Sequence, residues 1–534
     1  MMRSKPTQQS SAAGPGTVLT ESSSARSKPR SPSRGRSAAI GLLVLILAGG
    51  WSVPASANEW QTLTPGVAYR EFVLPGPVHV FVSRMDIAAT DVVLESSIAT
   101  GALAEGAETV SQMARRYDQT LSAWGGEWGP RHHVVVAVNG SSYFADTADP
   151  YGGVVYDGWY AQRFGDLAGT SGLAWTLDRS AVIGGCVSHP AERNVVRNLR
   201  TGMQLNIDTV NQPRDRKGLI LFTPQYDSWT PESNSEIEIV AEVERPAGVV
   251  PLPRGVHGVV HEVRQGHGQT PLLFDQVILA ARGRVAESFA GDMQKGDEIV
   301  ISQEITDLGS DCRSASRLDW SNAYAAIGGG FGFLRHGEIF HGDEPGARER
   351  EPRTAFCLNA EHVDFVVVDG RQDDYSIGMS LDDVAAFCRD ELGDLDGINQ
   401  DGGGSSAMWV NGQIINRPSN GSERAVANGM MMTTIEPAFR SNRFAPGYRV
   451  LVQQSGEVRL GPGFNYAVRG TLRAGTLVEL MPMPPSVQGI LATGMYWWKV
   501  TYDGEEGWVP EASLVSRLQA LATFEIPPLL LTLP

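Results

Sequence analysis

No Cys-x-x-Cys pair, no Gly-x-x-x-x-Gly-Lys loop and no Gly-x-Ser-x-Gly elbow occurs in this sequence. Those absences speak, in turn, against a thiolate zinc site, a P-loop nucleotide site and a serine-hydrolase nucleophile. Positive charge is also scarce: 44 Lys and Arg against 60 Asp and Glu give a net charge of −16, which argues against a nucleic-acid partner. There are only four cysteines, Cys186, Cys312, Cys357 and Cys388. An even number fits two disulfides in an oxidising compartment; three pairings are open, and Cys186–Cys312 with Cys357–Cys388 is the one adopted here. Long apolar runs are missing except at residues 38–48, too short for a comfortable membrane span.

What is present begins with a basic arm. Residues 1–36 carry seven Lys or Arg against the single acid Glu21, and the apolar run that follows ends near Ala55-Ser56-Ala57. This pattern predicts a signal peptide cut after Ala57, with an uncleaved anchor as the rival, so the bulk is expected to be exported. Its removal takes away seven positive charges and one negative, moving the net charge from −16 down by six. The remaining length suits two or three cores. Residues 58–442 are expected to form a large α+β, β-rich domain with a few helices. Residues 443–517 change style to short strands and turns and are expected to form a small independent barrel, with 518–534 as a tail.

Two helices are predicted by their caps: one from the box Thr109-Val110-Ser111-Gln112, and one from Ser380-Leu381-Asp382-Asp383 to about Leu392, stopped by Gly393. His257 and His261 have metal-like spacing, but their neighbours Gly258, Val259 and Val260 favour a strand that would hold them about 13 Å apart, so no metal site is expected there. Asn399-Gln400-Asp401-Gly402-Gly403-Gly404-Ser405-Ser406 sets an amide and a carboxylate before three glycines and two hydroxyls, where the backbone can approach a ligand closely. The apolar stretches on either side of Asn411-Gly412 predict a two-residue hairpin that holds this loop rigidly. Asn139-Gly140 at the end of a Val-rich strand, the triple glycine 328–330, Pro352-Arg353-Thr354-Ala355 and Asp369-Gly370-Arg371 are further polar landmarks at strand ends.

Together with Asn416-Arg417-Pro418-Ser419 and Arg424, these landmarks resemble the phosphodiester glycosidase family in motif order, from about Trp60 to Glu436. Gln400 departs from the family pattern, where an apolar residue precedes the Asp. The segments Val458-Arg459-Leu460-Gly461-Pro462-Gly463, Trp497-Trp498-Lys499-Val500 and Gly504…Gly507-Trp508-Val509 resemble bacterial SH3-like domains. The resemblance implies an exported hydrolase that cleaves the glycosidic bond of a sugar-1-phosphodiester or related envelope glycan. The alternative is a non-catalytic protein that binds envelope glycan or peptidoglycan.

The chemistry fits those residue types. A phosphate monoester is a good leaving group, so stabilising its charge with Arg forks matters more than protonating it. A carboxylate must serve as nucleophile or as base for water. The expected catalytic set is therefore Asp401, Asp369, Arg371 and Arg353. Asn139, Gly402, Gly403, Gly404, Ser405, Ser406, Asn416 and Arg424 are expected to bind substrate. Any one of these alone reads as a turn cap or a structural pair; their co-occurrence points to a site. A divalent cation is compatible with phosphate chemistry, but Asp394, Asp396 and Asp401 do not fit an EF-hand loop because Ile398 stands where a ligand is needed, and no metal is assigned. A glycan or sugar-phosphate substrate, and peptidoglycan at the barrel, are the expected partners.

Overall fold

The computed structural model describes residues 59–117 and 131–516, apart from short stretches of which the longest are 244–254 and 308–322. The arm and signal peptide, Cys186, Cys312 and the tail lie outside the described residues. Among the described residues the chain is almost entirely antiparallel sheet, with Thr209–Val210 running parallel to Gly218–Phe222, and has three α-helices, Val110–Tyr117, Arg284–Asp292 and Leu381–Phe387.

The central twelve-stranded sheet runs Gln61–Thr64, Val67–Leu74, Val78–Asp86, His362–Val368, Arg353–Leu358, Asp396–Asn399 and Ala323–Arg335 before reaching its smaller strands. Its middle strand His362–Val368 is buried along its whole length. That is why its sequence reads as a nearly continuous apolar run rather than an alternation. Val363, Phe365 and Val367 face one core, while Val366 and Val368 face another beneath the helix Leu381–Phe387. A five-stranded sheet packs on the first face, in the order Gln413–Ile414, Met408–Val410, Arg131–Asn139, Asn428–Ile435 and Val92–Ile98. Along Asn428–Ile435 the period of two sends Met430 and Met432 into the shared core and Met431 to the other side.

Both predicted caps form. Thr109 and Gln112 bond reciprocally at the first helix, and Ser380 with Asp383 makes a full capping box at the third. That helix ends sooner than expected, at Phe387, and passes through a π-turn Cys388–Leu392 to a left-handed Gly393 at φ 78°. The Asn411-Gly412 hairpin pairs Val410 with Gln413, and both turn residues have positive φ, 44° and 100°. His257 and His261 lie in one strand, Val256–Gln265. Cys357 and Cys388 form a disulfide with an S–S distance of 2.09 Å.

The C-terminal sheet, from Arg449–Val452 to Leu514–Ser516, has its own core of Phe444, Val450, Val458, Trp498 and Leu514. Strand alternation sends Trp498 into that core and Trp497 the opposite way, where it and Trp508 join the core of the preceding domain. Phe274 meets Trp508 edge-on at 5.7 Å, and its backbone N–H donates to the Leu460 carbonyl at 2.9 Å. Lys499 is almost wholly buried at this junction, with its ammonium 2.7 Å from Asp275, 3.1 Å from Glu506 and 3.4 Å from Glu242. Burial alone would lower its pKa; the three carboxylates together push it up instead. Lys499→Met should therefore leave three carboxylates facing one another and cost on the order of 3 kcal/mol. Thermal unfolding checks this, and an unchanged midpoint would show that the ammonium does not hold the barrel in place.

Candidate active site

Between Asn399 and Met408 the chain crosses from the twelve-stranded sheet to the five-stranded one, and the glycine loop is that crossing. Asp401 is held there by its backbone. Its N–H donates to the Gly140 carbonyl at 2.9 Å and its carbonyl accepts from Asn139 Nδ2 at 2.8 Å. The carboxylate is left half-buried, accepting one bond, from Ser142 Oγ at 3.0 Å. Gly403 sits at φ +63°, a conformation that favours glycine, and a Cβ on it would lie 3.2 Å from Arg371 Nη2. A Cβ on Gly404 would lie 2.4 Å from Arg424 Nη2. Two guanidiniums thus rest on consecutive glycines just beyond the carboxylate. Both side chains are exposed; Arg371 Nε donates to Glu351 Oε2 at 2.5 Å and Arg424 Nη1 to Ser405 Oγ at 3.3 Å.

Asp369 follows the buried strand His362–Val368 and is itself only 1% exposed. Asn416 Nδ2 donates to Oδ1 and the Arg417 N–H to Oδ2, both at 2.8 Å, and the Tyr375 hydroxyl adds a further bond. Burial pushes its pKa up to about 6, against the Asn416, Arg417 and Tyr375 bonds that favour the charged form. Tyr375 is stacked between the His79 ring at 3.9 Å and the Arg417 guanidinium at 4.0 Å, and His79 pairs in turn with Glu71 at 2.8 Å. Asn416 also donates to the Ser406 carbonyl at 3.1 Å and accepts from the Met408 N–H at 2.9 Å, so one amide joins Asp369 to the glycine loop.

Other expected site residues have inward-facing partners. Asn139 Oδ1 accepts from Thr354 Oγ1 at 2.8 Å and from the Ala407 N–H at 3.1 Å, so its amide fastens the loop to the strand Arg131–Asn139. Arg353 is 7% exposed and donates to the carbonyls of Met379, Gly346 and Glu349. Three N–H groups of that fork are bonded to backbone, and burial lowers its pKa. Ser405 and Ser406 are buried, and Ser406 Oγ has no hydrogen-bond partner. Gly402 lies against the Pro352 carbonyl. The triple glycine 328–330 serves packing: a Cβ on Gly328 would strike the Gly153 backbone at 2.6 Å, and one on Gly329 the Gln400 amide at 2.4 Å.

Sequence reasoning passed over His79, Tyr375, Arg417, Glu351 and the pairing of Ser142 with Asp401. Arg417 stands inside a motif already singled out, Ser142 follows Asn139-Gly140 by two residues, and His79 is a polar interruption in the run Val78–Phe81. Tyr375 carries no local signal. Neither Asp401 nor Asp369 belongs to a group of three metal-ligating side chains among the described residues.

Residues 255–433 match the phosphodiester glycosidase family and residues 455–516 the bacterial SH3 domain family. The first match takes in Asp369, Arg371 and the whole glycine loop; Asn139 and Ser142 fall before it. No curated protein sequence matches the chain. Among solved structures, a hypothetical protein from Synechocystis is similar at 17% identity and a TM-score of 0.49 over 71% of this chain, which spans 64% of that protein. The zebrafish N-acetylglucosamine-1-phosphodiester alpha-N-acetylglucosaminidase catalytic domain, auto-inhibited by its pro-peptide, is similar at 14% identity and a TM-score of 0.31, over 70% of this chain and 86% of that one. By the two family matches, the chain carries a phosphodiester glycosidase domain followed by a bacterial SH3 domain.

Proposed function

We propose that this protein hydrolyses the glycosidic bond of a sugar-1-phosphodiester or a related envelope glycan, outside the cytoplasm. The observation that carries the reading is the placement of Arg371 and Arg424 on Gly403 and Gly404, directly beyond the accessible carboxylate of Asp401. Two guanidiniums suit a phosphodiester and the phosphomonoester that leaves it. Asp401 takes a proton from water as the water oxygen bonds to the anomeric carbon. The carbon–oxygen bond to phosphate breaks, and the phosphomonoester departs with the electron pair, its charge met by the arginines. Asp369, inaccessible and bonded to Asn416, Arg417 and Tyr375, positions those groups. The disulfide Cys357–Cys388 fits an oxidising compartment. Since Trp497 and Trp508 are turned toward the preceding domain, peptidoglycan contact by the barrel falls to exposed rings such as Tyr448 and Phe464.

Incubation of the purified protein with sugar-1-phosphodiesters should release free sugar and phosphomonoester in equal amounts. Binding without release would replace the hydrolase with a glycan-binding protein. Gly404→Ala is a sharper probe of the anion site. The atoms nearest its Cβ would be the side-chain ends of Asn420 and Arg424, so the fold should persist while KM for the diester rises about tenfold, the value of one displaced charged contact. An unchanged KM would remove Arg424 from the substrate site.

A further inference from the structure

At the opposite end of the strand that delivers Asp369, His362 and Asp364 project from one face, two residues apart, under the π-turn Cys388–Leu392. Seven residues of strand separate His362 from Asp369, roughly 23 Å, so this is a different place from the proposed catalytic site and does not depend on that reading. Asp394 enters from beyond the turn. Asp364 and Asp394 are 0% exposed and His362 is 9% exposed. The His362 Nε2 atom lies 3.3 Å from Asp394 Oδ1 and 3.5 Å from Asp364 Oδ2.

Both separations exceed the 2.7–2.9 Å typical of a charge-assisted N–H···O bond. They match instead the edge of a tetrahedron around a cation with bonds of about 2.0–2.1 Å, which is roughly 3.3–3.4 Å. Both Asp394 oxygens are buried without a well-formed hydrogen bond from a nitrogen donor, and the side chain that approaches them besides His362 is the Asp364 carboxyl, a pairing that needs a proton or a cation between the two acids. Asp364 is oriented by Arg84, whose Nε and Nη2 donate to it at 2.9 and 2.6 Å while Nη2 also reaches the Leu392 carbonyl. One arginine balances one of two carboxylates and fixes the geometry of the other's neighbour, the part an outer-shell residue plays at a metal. Asn359 Nδ2 lies 3.2 Å from His362 Nε2, and the single lone pair of that nitrogen would pass from this amide to a bound cation.

The geometry points to a structural site for a divalent transition-metal cation of the zinc class, ligated by His362 Nε2, Asp364 Oδ2 and Asp394, with the second Asp394 oxygen completing four donors. A calcium ion would need six to eight oxygens, which this set does not offer. The site would pin the π-turn and its disulfide Cys357–Cys388 to the middle of the large sheet.

The test is metal content and thermal unfolding of the tag-free full chain, after dialysis against zinc and again after chelation. One zinc per chain is expected in the wild type, with a midpoint that falls by several degrees on chelation and recovers when zinc is restored. Asp394→Asn and His362→Gln should each lose the zinc and the response to chelator. A wild-type protein that retains no zinc and unfolds at the same temperature with and without chelator overturns the site. Zinc retained equally by both variants overturns the assignment of its ligands.

Discussion

Asp401→Asn is expected to lower turnover of a sugar-1-phosphodiester by about 10³-fold, within the range for loss of a general base, while the fold and thermal midpoint stay nearly unchanged. The position of Asp401 rests on its backbone, bonded to Gly140 and Asn139, rather than on its carboxylate. The one side-chain bond, from Ser142 Oγ to Oδ1, can still be accepted by the amide oxygen of Asn. What the substitution removes is the charge that, in the proposed reaction, takes the proton of water. Loss from kcat with little change in KM is the signature of a group that acts in the transition state. Steady-state kinetics paired with thermal unfolding measure both halves. Turnover within tenfold of the wild type would take the reaction away from this carboxylate.

Much of this architecture can be read from the chain because the signals are local. The Asn411-Gly412 hairpin follows from two residues that accept positive φ, and the boxes at Thr109 and Ser380 mark real helix starts. The helix Arg284–Asp292 goes unseen because Gly283 precedes it with no side-chain cap, and its surroundings are β-rich. At the site, residue types are legible but partners are not. Arg353 has the composition of a phosphate fork, yet it bonds three loop carbonyls contributed from positions 346, 349 and 379. The glycines 328–330 look like a ligand cradle, but their small size lets the 152–153 backbone and the 399–400 side chains approach. Each of these distinctions depends on contacts between distant segments, as does the convergence of His79, Tyr375 and Arg417 on Asp369. The alternation of Trp497 and Trp498 shows the same limit: period two says that they point opposite ways, but not that one of the two faces is covered by another domain.

Asp369→Asn should differ from Asp401→Asn by damaging stability and activity together. Asp369 meets N–H donors on both oxygens, from Asn416 and the Arg417 backbone. An amide in its place has one oxygen to accept, and its NH₂ would face the other donor, leaving a buried donor unsatisfied at about 1–3 kcal/mol. The thermal midpoint should fall, and kcat with it, because Asn416 ties this carboxylate to the glycine loop. The pH dependence has a definite sign. Burial raises the folded-state pKa from 3.8 to about 6, so between those values the folded protein holds a proton that the unfolded chain has released. This group's contribution to stability is therefore fully present below about pH 4 and is lost as pH rises through 6. Activity runs the other way: the ionised form accepts from Asn416, Arg417 and Tyr375 and keeps them aligned, so kcat should climb through a limb centred near pH 6 and level off above it. The limb should vanish in Asp369→Asn, and a merely structural residue would leave it in place. A wild-type profile flat between pH 5 and 7, or a limb that survives the substitution, would remove Asp369 from the positioning of this site.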